Sequence, residues 1–147
     1  MRYCRRSDHK KPEILSGSLA RKFKSTIRQF YASRTDTIRP PQAPREILGD
    51  EELKKTIGKV FSEKCAFCEK SVDSRNPANI TQFRPESEAE RSDTRINYDY
   101  YCWLAIEWSN IQLVCEYCRF RKRTLFPVQS VGRRRASLAD LRRTEGA

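Results

Sequence analysis

Four of the six cysteines fall into two Cys-x-x-Cys pairs, CAFC at 65–68 and CEYC at 115–118, with 46 residues between Cys68 and Cys115. A pair of this kind on a tight turn aims two thiolates at one ion. Two such turns supply the four ligands of a closed tetrahedral zinc site, so Cys65, Cys68, Cys115 and Cys118 are the expected metal ligands. An all-cysteine set leaves no open coordination position, which makes the zinc structural rather than catalytic. The rival is a pair of thioredoxin-like redox motifs, but neither pair lies in a recognisable strand-to-helix step of a βαβ unit. Cys4 and Cys102 have no partner at ligand spacing and read as plain thiols, Cys102 buried among aromatic residues.

Directly after the second pair stand Arg119, Arg121, Lys122 and Arg123, four cations within five residues. They suit phosphate contacts, and a solvated helix face is the alternative. Trp103 and Trp108 lie among Leu104, Ala105 and Ile106, a setting that suits core packing better than base stacking. The single histidine, His9, lies far from these motifs.

The elements that must hold these residues follow from hydrophobic spacing. Leu19, Phe23, Ile27, Phe30 and Tyr31 recur at three- and four-residue steps, which predicts an amphipathic helix over 16–31 capped by Ser16 or Ser18. Three prolines between Pro40 and Pro44 then break regular structure. A second helix is predicted over 50–63, with Asp50 as cap, Glu51 and Glu52 in the first turn, and Leu53, Ile57, Val60 and Phe61 on one face. It delivers the chain to CAFC. Residues 70–78 read as a loop and 79–84 (NITQFR) as a short strand stopped by Pro85. Residues 87–95 are polar and read as an excursion, 98–108 as a buried aromatic stretch that is partly helical, and 119–126 as a basic helix or turn. Residues 1–15 read as an extended basic lead.

The chain has 147 residues, 33% of them charged and 37% hydrophobic, which gives room for one domain with tails. Its net charge of +11 is uneven. Residues 1–48 hold 12 basic and 4 acidic groups, residues 49–118 hold 9 and 13, and residues 119–147 hold 9 and 2. Basic flanks around a mildly acidic middle favour a polyanionic partner, nucleic acid before anionic lipid, although solvated basic tails would look the same. No run of about 18 apolar residues exists, so no membrane-spanning helix is expected. The basic start lacks an apolar stretch, so a secretory signal is not expected and the free thiols fit a reducing, cytoplasmic setting.

Taken in order, the helix, CAFC, a strand ending in QFRPE, YYCWLAIEWSN and CEYCRFRKRTLFP resemble the HNH endonuclease superfamily. More narrowly, they are similar to HNH proteins found with retrons and Septu-type anti-phage systems, over roughly residues 1–127. The resemblance implies an α+β chain with a small ββα-metal fold, braced by the four-cysteine zinc site and preceded by a helical extension. It divides the chain into a basic lead and helix (1–48), an HNH-like zinc-knuckle domain (49–127) and a basic tail (128–147). In such nucleases a strand-end histidine deprotonates water, a neighbouring acid and a residue near the helix hold a magnesium-like ion, and a central asparagine orients the base.

Here the acid–histidine pair falls on Thr81 and Gln82, and the asparagine expected after the second knuckle is Arg119. Asn110, Arg84, Lys122 and Phe126–Pro127 are retained. A carboxamide cannot accept a proton near neutral pH, and an arginine repels the cation it should hold. The resemblance therefore makes Gln82 and Asn110 the family's catalytic positions, and Arg84, Arg119, Arg121, Lys122 and Arg123 the nucleic-acid contacts. Its relatives usually continue beyond the Phe–Pro with an acidic, apolar segment, against which the C-terminal part here is short. Three functions follow. The first is a nucleic-acid-binding, most simply DNA-binding, protein with lost or crippled catalysis. The second is an active endonuclease with a divergent site that uses magnesium or manganese. The third is a zinc-stapled interaction subunit that docks on the ATPase of a defence complex.

Overall fold

Residues 5–32, 40–86 and 101–125 are described by the structure, a computed structural model. Helix α1 spans Ser18–Ala32 and buries Ala20, Phe23, Ile27 and Phe30 along one face. A single turn, α2, spans Arg45–Leu48 and inserts Ile47 into the core. Helix α3 spans Glu51–Phe61 and starts where the Asp50 carboxylate accepts the Leu53 N–H at 2.9 Å, a cap that stabilises by about 1 kcal/mol.

The exit from α3 aims the chain at the first cysteine pair. Ser62 and Glu63 both take positive φ (52° and 51°), and the Glu63 carboxylate then accepts the Ser74 N–H and Oγ–H at 2.9 and 2.7 Å. A side chain at Gly58 would meet Glu63 Oε1 at 2.2 Å and Ser74 Oγ at 2.4 Å, so only glycine lets this latch lie on the helix.

Strands β1 (Ile80–Gln82) and β2 (Ile111–Leu113) pair antiparallel, with Ile80 opposite Leu113, Thr81 opposite Gln112 and Gln82 opposite Ile111. Ile80, Ile111 and Leu113 enter the core and Thr81 and Gln112 share the other face. Helix α4 (Glu116–Lys122) follows β2 and lies against the 3-10 turn Pro77–Asn79 that precedes β1. The chain therefore runs strand, strand, helix through its second half. One apolar cluster joins Leu15, Phe23 and Ile27 to Leu53, Ile57, Phe61, Ile106, Ile111 and Val114.

Three expectations need correction or refinement. The lead is not simply extended: it forms 3-10 turns at Arg6–Asp8 and Glu13–Leu15, and Pro12 and Leu15 are fully buried. Arg6 draws it in, donating to the Trp108 carbonyl at 2.6 Å and to the Ile111 carbonyl. The guanidinium of Arg6 also stacks over the rings of Phe61 and Trp108 at 5.4 and 4.9 Å, using both the flat face and the donor edge of the group. The strand expected over 79–84 is three residues long: Phe83 still bonds to the Asn110 carbonyl, but beyond it the Asn110 side chain, not a partner strand, binds the Arg84 N–H and carbonyl. Within 101–110 the partly helical stretch is two 3-10 turns, Cys102–Leu104 and Trp108–Asn110. Cys4, the polar excursion at 87–95, Phe126–Pro127 and the tail 128–147 lie outside the described residues. Among the described residues, no helix is long and apolar enough to cross a membrane.

Candidate metal centre and strand-end site

Each cysteine pair is held by its own turn and the two turns are tied together. Cys65 N–H donates to the Lys70 carbonyl at 2.8 Å, and Glu69, at φ 62°, closes the loop by donating to the Cys65 carbonyl at 3.0 Å. Cys115 caps α4, its sulfur accepting the Cys118 N–H at 3.5 Å, while Cys65 sulfur accepts the Phe67 N–H at the same distance. Ala66 N–H reaches across to the Leu113 carbonyl at 2.8 Å, fixing the first knuckle against the strand that carries the second.

The four sulfurs lie within 4.8 Å of one another, with Cys68 and Cys115 at 3.6 Å. Tetrahedral zinc with bonds of about 2.3 Å needs sulfurs about 3.8 Å apart, so the cluster fits the ion with little movement. The protonation pattern favours a cation as well. Burial opposes ionisation of Cys65, but amide donors from Cys68, Cys115 and Phe67 outweigh it and bring the thiol down to about 6. Burial, followed by hydrogen bonds with its neighbouring cysteines, pushes Cys118 up to about 12, and burial raises Cys115 too. One thiolate disfavours the next at this distance, and a divalent cation reverses that order. The soft, all-sulfur donor set suits zinc and not magnesium.

Gln82 and Asn110 meet at one end of the sheet. Gln82 Nε2 donates to the Ala105 carbonyl at 3.1 Å and to Glu86 Oε2 at 3.3 Å, and the same Glu86 oxygen accepts the Ala43 N–H at 3.0 Å. Asn110 is buried at 4% exposure. Its Oδ1 accepts the Arg84 N–H at 2.8 Å, and its Nδ2 donates to the Arg84 and Leu104 carbonyls at 3.0 and 2.9 Å. Asn110 thus braces the loop leaving β1 against the turn leading into β2. Asn110→Ala is expected to destabilise the chain by about 2–4 kcal/mol, because three backbone groups lose their partner at once, and urea unfolding would measure it. Glu86 was not singled out in the sequence. Its only signal there is its place in QFRPE, four residues after Gln82.

Arg119, Arg121, Lys122 and Arg123 cluster at the C-terminal end of α4, where cations also suit the helix dipole. The three arginines are exposed, and burial lowers the pKa of half-buried Lys122. None of the four forms an ion pair with a described residue. Arg84 stands apart on the loop after β1, its guanidinium over the Tyr101 ring at 5.4 Å. Trp103 and Trp108 are half-buried and pack against the core. Tyr117, Phe120 and Leu125, which no sequence motif marks, are the exposed large hydrophobic residues among those described.

Over 105 residues the chain is 30% identical to the Septu protein PtuB of Bacillus mycoides (strain KBAB4). The match takes in 70% of this chain and 36% of that protein, so the chain spans about a third of its relative's length. No family model matches the chain, and no solved structure matches it.

Proposed function

We propose that this chain is an HNH-like, zinc-stapled nucleic-acid-binding protein of a Septu-type defence system, with its hydrolytic chemistry lost or crippled. The likeness to Septu protein PtuB supports the defence setting. The strand–strand–helix order, with one cysteine pair before β1 and the other leading into α4, supports the HNH-like reading. The observation that carries nucleic-acid binding is the cationic end of α4, four cations with no ion pair to a described residue, beside the metal centre in a chain of net charge +11. DNA is the proposed polymer, a defence-system ATPase the proposed protein partner, and the reducing cytoplasm the setting that keeps four thiols available to zinc. Gln82 and Asn110 occupy the family's catalytic positions in this reading, Gln82 able to position a water without deprotonating it.

Binding is expected to be weakly sequence-selective and to fall steeply with salt. Replacing Arg119, Arg121, Lys122 and Arg123 together with alanine should make the slope of log K against log salt shallower by about 3 to 4, close to one unit per lost phosphate contact. Fluorescence anisotropy on a labelled duplex between 50 and 300 mM salt (roughly the range over which counterion release is read) measures it. No binding at low salt, or a slope untouched by the four changes, would instead support a protein-docking role.

A further inference from the structure

We propose that the exposed face of α4 is a stacking platform that selects unpaired polynucleotide over duplex, with Tyr117 and Phe120 receiving bases and Arg121 and Arg123 receiving the flanking phosphates. This rests on the nucleic-acid reading above and specifies its ligand. Tyr117 and Phe120 are 63% and 67% exposed, although burying either ring would be favourable, and the rings stay exposed even with an arginine stacked on each. They are three residues apart on one helix, which places them as neighbours on the same face. Each carries an arginine: Arg121 lies over the Tyr117 ring at 5.0 Å and Arg123 over the Phe120 ring at 4.7 Å. A guanidinium stacked on a ring keeps its N–H edge free for a phosphate, and neither arginine has a carboxylate partner among the described residues.

Arg123 is held in this position by the backbone. It ends α4 at φ 43°, its N–H donating to the Arg119 carbonyl at 2.9 Å, so its side chain turns back toward the helix instead of continuing past it. Two rings alternating with cations make the combination that binds single strands: a ring offers any unpaired base a face, and the cations follow its backbone. A duplex hides its base faces and would meet only the cations. Base stacking and phosphate contact depend on neither sugar, so the ligand is an unpaired strand of either sugar.

The test uses the full zinc-loaded chain and three labelled probes of equal length: oligothymidylate, oligouridylate and a blunt DNA duplex. Tyr117→Ala/Phe120→Ala leaves the charge unchanged and is expected to weaken both single-strand probes at least about tenfold, with duplex affinity unchanged. Tyr117→Phe, which keeps the ring, should bind as the unmodified chain does. Zinc content and the circular dichroism melt of each variant show that α4 is intact. Equal affinity of the double variant and the parent for single strands would overturn the platform while leaving charge-driven binding in place. Equal loss on all three probes would overturn the selectivity, and so would a change in sedimentation showing that the rings join two copies of the chain. Failure of the parent to bind any probe at low salt would remove the nucleic-acid reading itself.

Discussion

Serine at both Cys65 and Cys118 is expected to abolish cooperative thermal unfolding, and a strong zinc chelator should do the same to the unmodified chain. The four sulfurs converge from two turns that the Ala66 N–H to Leu113 carbonyl bond ties together through the backbone. Without a cation, one cysteine tends toward thiolate while Cys115 and Cys118 are held protonated, so the cluster is a collection of poorly matched polar groups at the end of a modest core. Structural zinc in small domains contributes about 10–16 kcal/mol of apparent binding free energy near pH 7, comparable to the whole stability of an ordinary domain. It also closes the long loop between the knuckles. Elemental analysis should give one zinc per chain, and affinity should drop as pH is lowered because protons compete with zinc for the four thiolates. Cys102→Ser is the control, since Cys102 is buried against the Tyr31 hydroxyl at 3.4 Å and lies outside the cluster. A double serine variant that kept its melting temperature would remove the metal from this account.

The second large effect concerns chemistry: the isolated chain is expected to show no cleavage of DNA above background with either magnesium or manganese. Loss of general-base help alone costs about 10²- to 10⁴-fold, and Gln82 offers only an amide whose Nε2 is already bonded to Ala105 and Glu86. On the proposed HNH-like reading, Thr81 would put a hydroxyl where an anionic ligand is expected, and exposed Arg119 would bring positive charge to a ligand position. Such groups act as a unit, so their penalties do not multiply. Gln82→His alone is therefore expected to recover almost nothing. A combined Thr81→Glu, Gln82→His and Arg119→Asn variant is expected to regain some metal-dependent cutting, with Glu86 a ready carboxylate for the restored imidazole. The measurement is supercoiled-plasmid nicking with each metal. Clear magnesium-dependent nicking by the unmodified chain, lost on changing Gln82, would mean that a divergent active site works.

What the sequence made legible was local. The spacing of Phe23, Ile27 and Phe30 and the Asp50 cap needed only neighbouring residues to be read, and α1 and α3 lie within two residues of their expected bounds. The four cysteines were legible because metal geometry constrains spacing more tightly than packing does. The features that escaped depend on partners set by the fold. Arg6 looks like one more basic residue in a basic lead until its two carbonyl acceptors are placed beside it. Asn110 drew notice only through the resemblance, yet its amide atoms all bond to backbone groups that only the folded loop brings near. The exposure of Tyr117 and Phe120 escaped for a different reason: α4 buries no residue, so it has no apolar stripe from which an outward face could be inferred.

Arg6 also bears on the order in which the protein can be made. Its acceptors lie 102 and 105 residues further along, and the second cysteine pair follows only after them. A ribosome therefore releases α1 and α3 with their apolar faces only partly covered, and neither Arg6 nor the first knuckle can find its partner until Trp108 to Cys118 has emerged. Completion waits for one late stretch, Trp108 to Cys118, which brings the carbonyls for Arg6, the strand for β1 and the last two sulfurs together. A nascent chain that stalls before that stretch has no native resting place and is a natural client for chaperones and proteases.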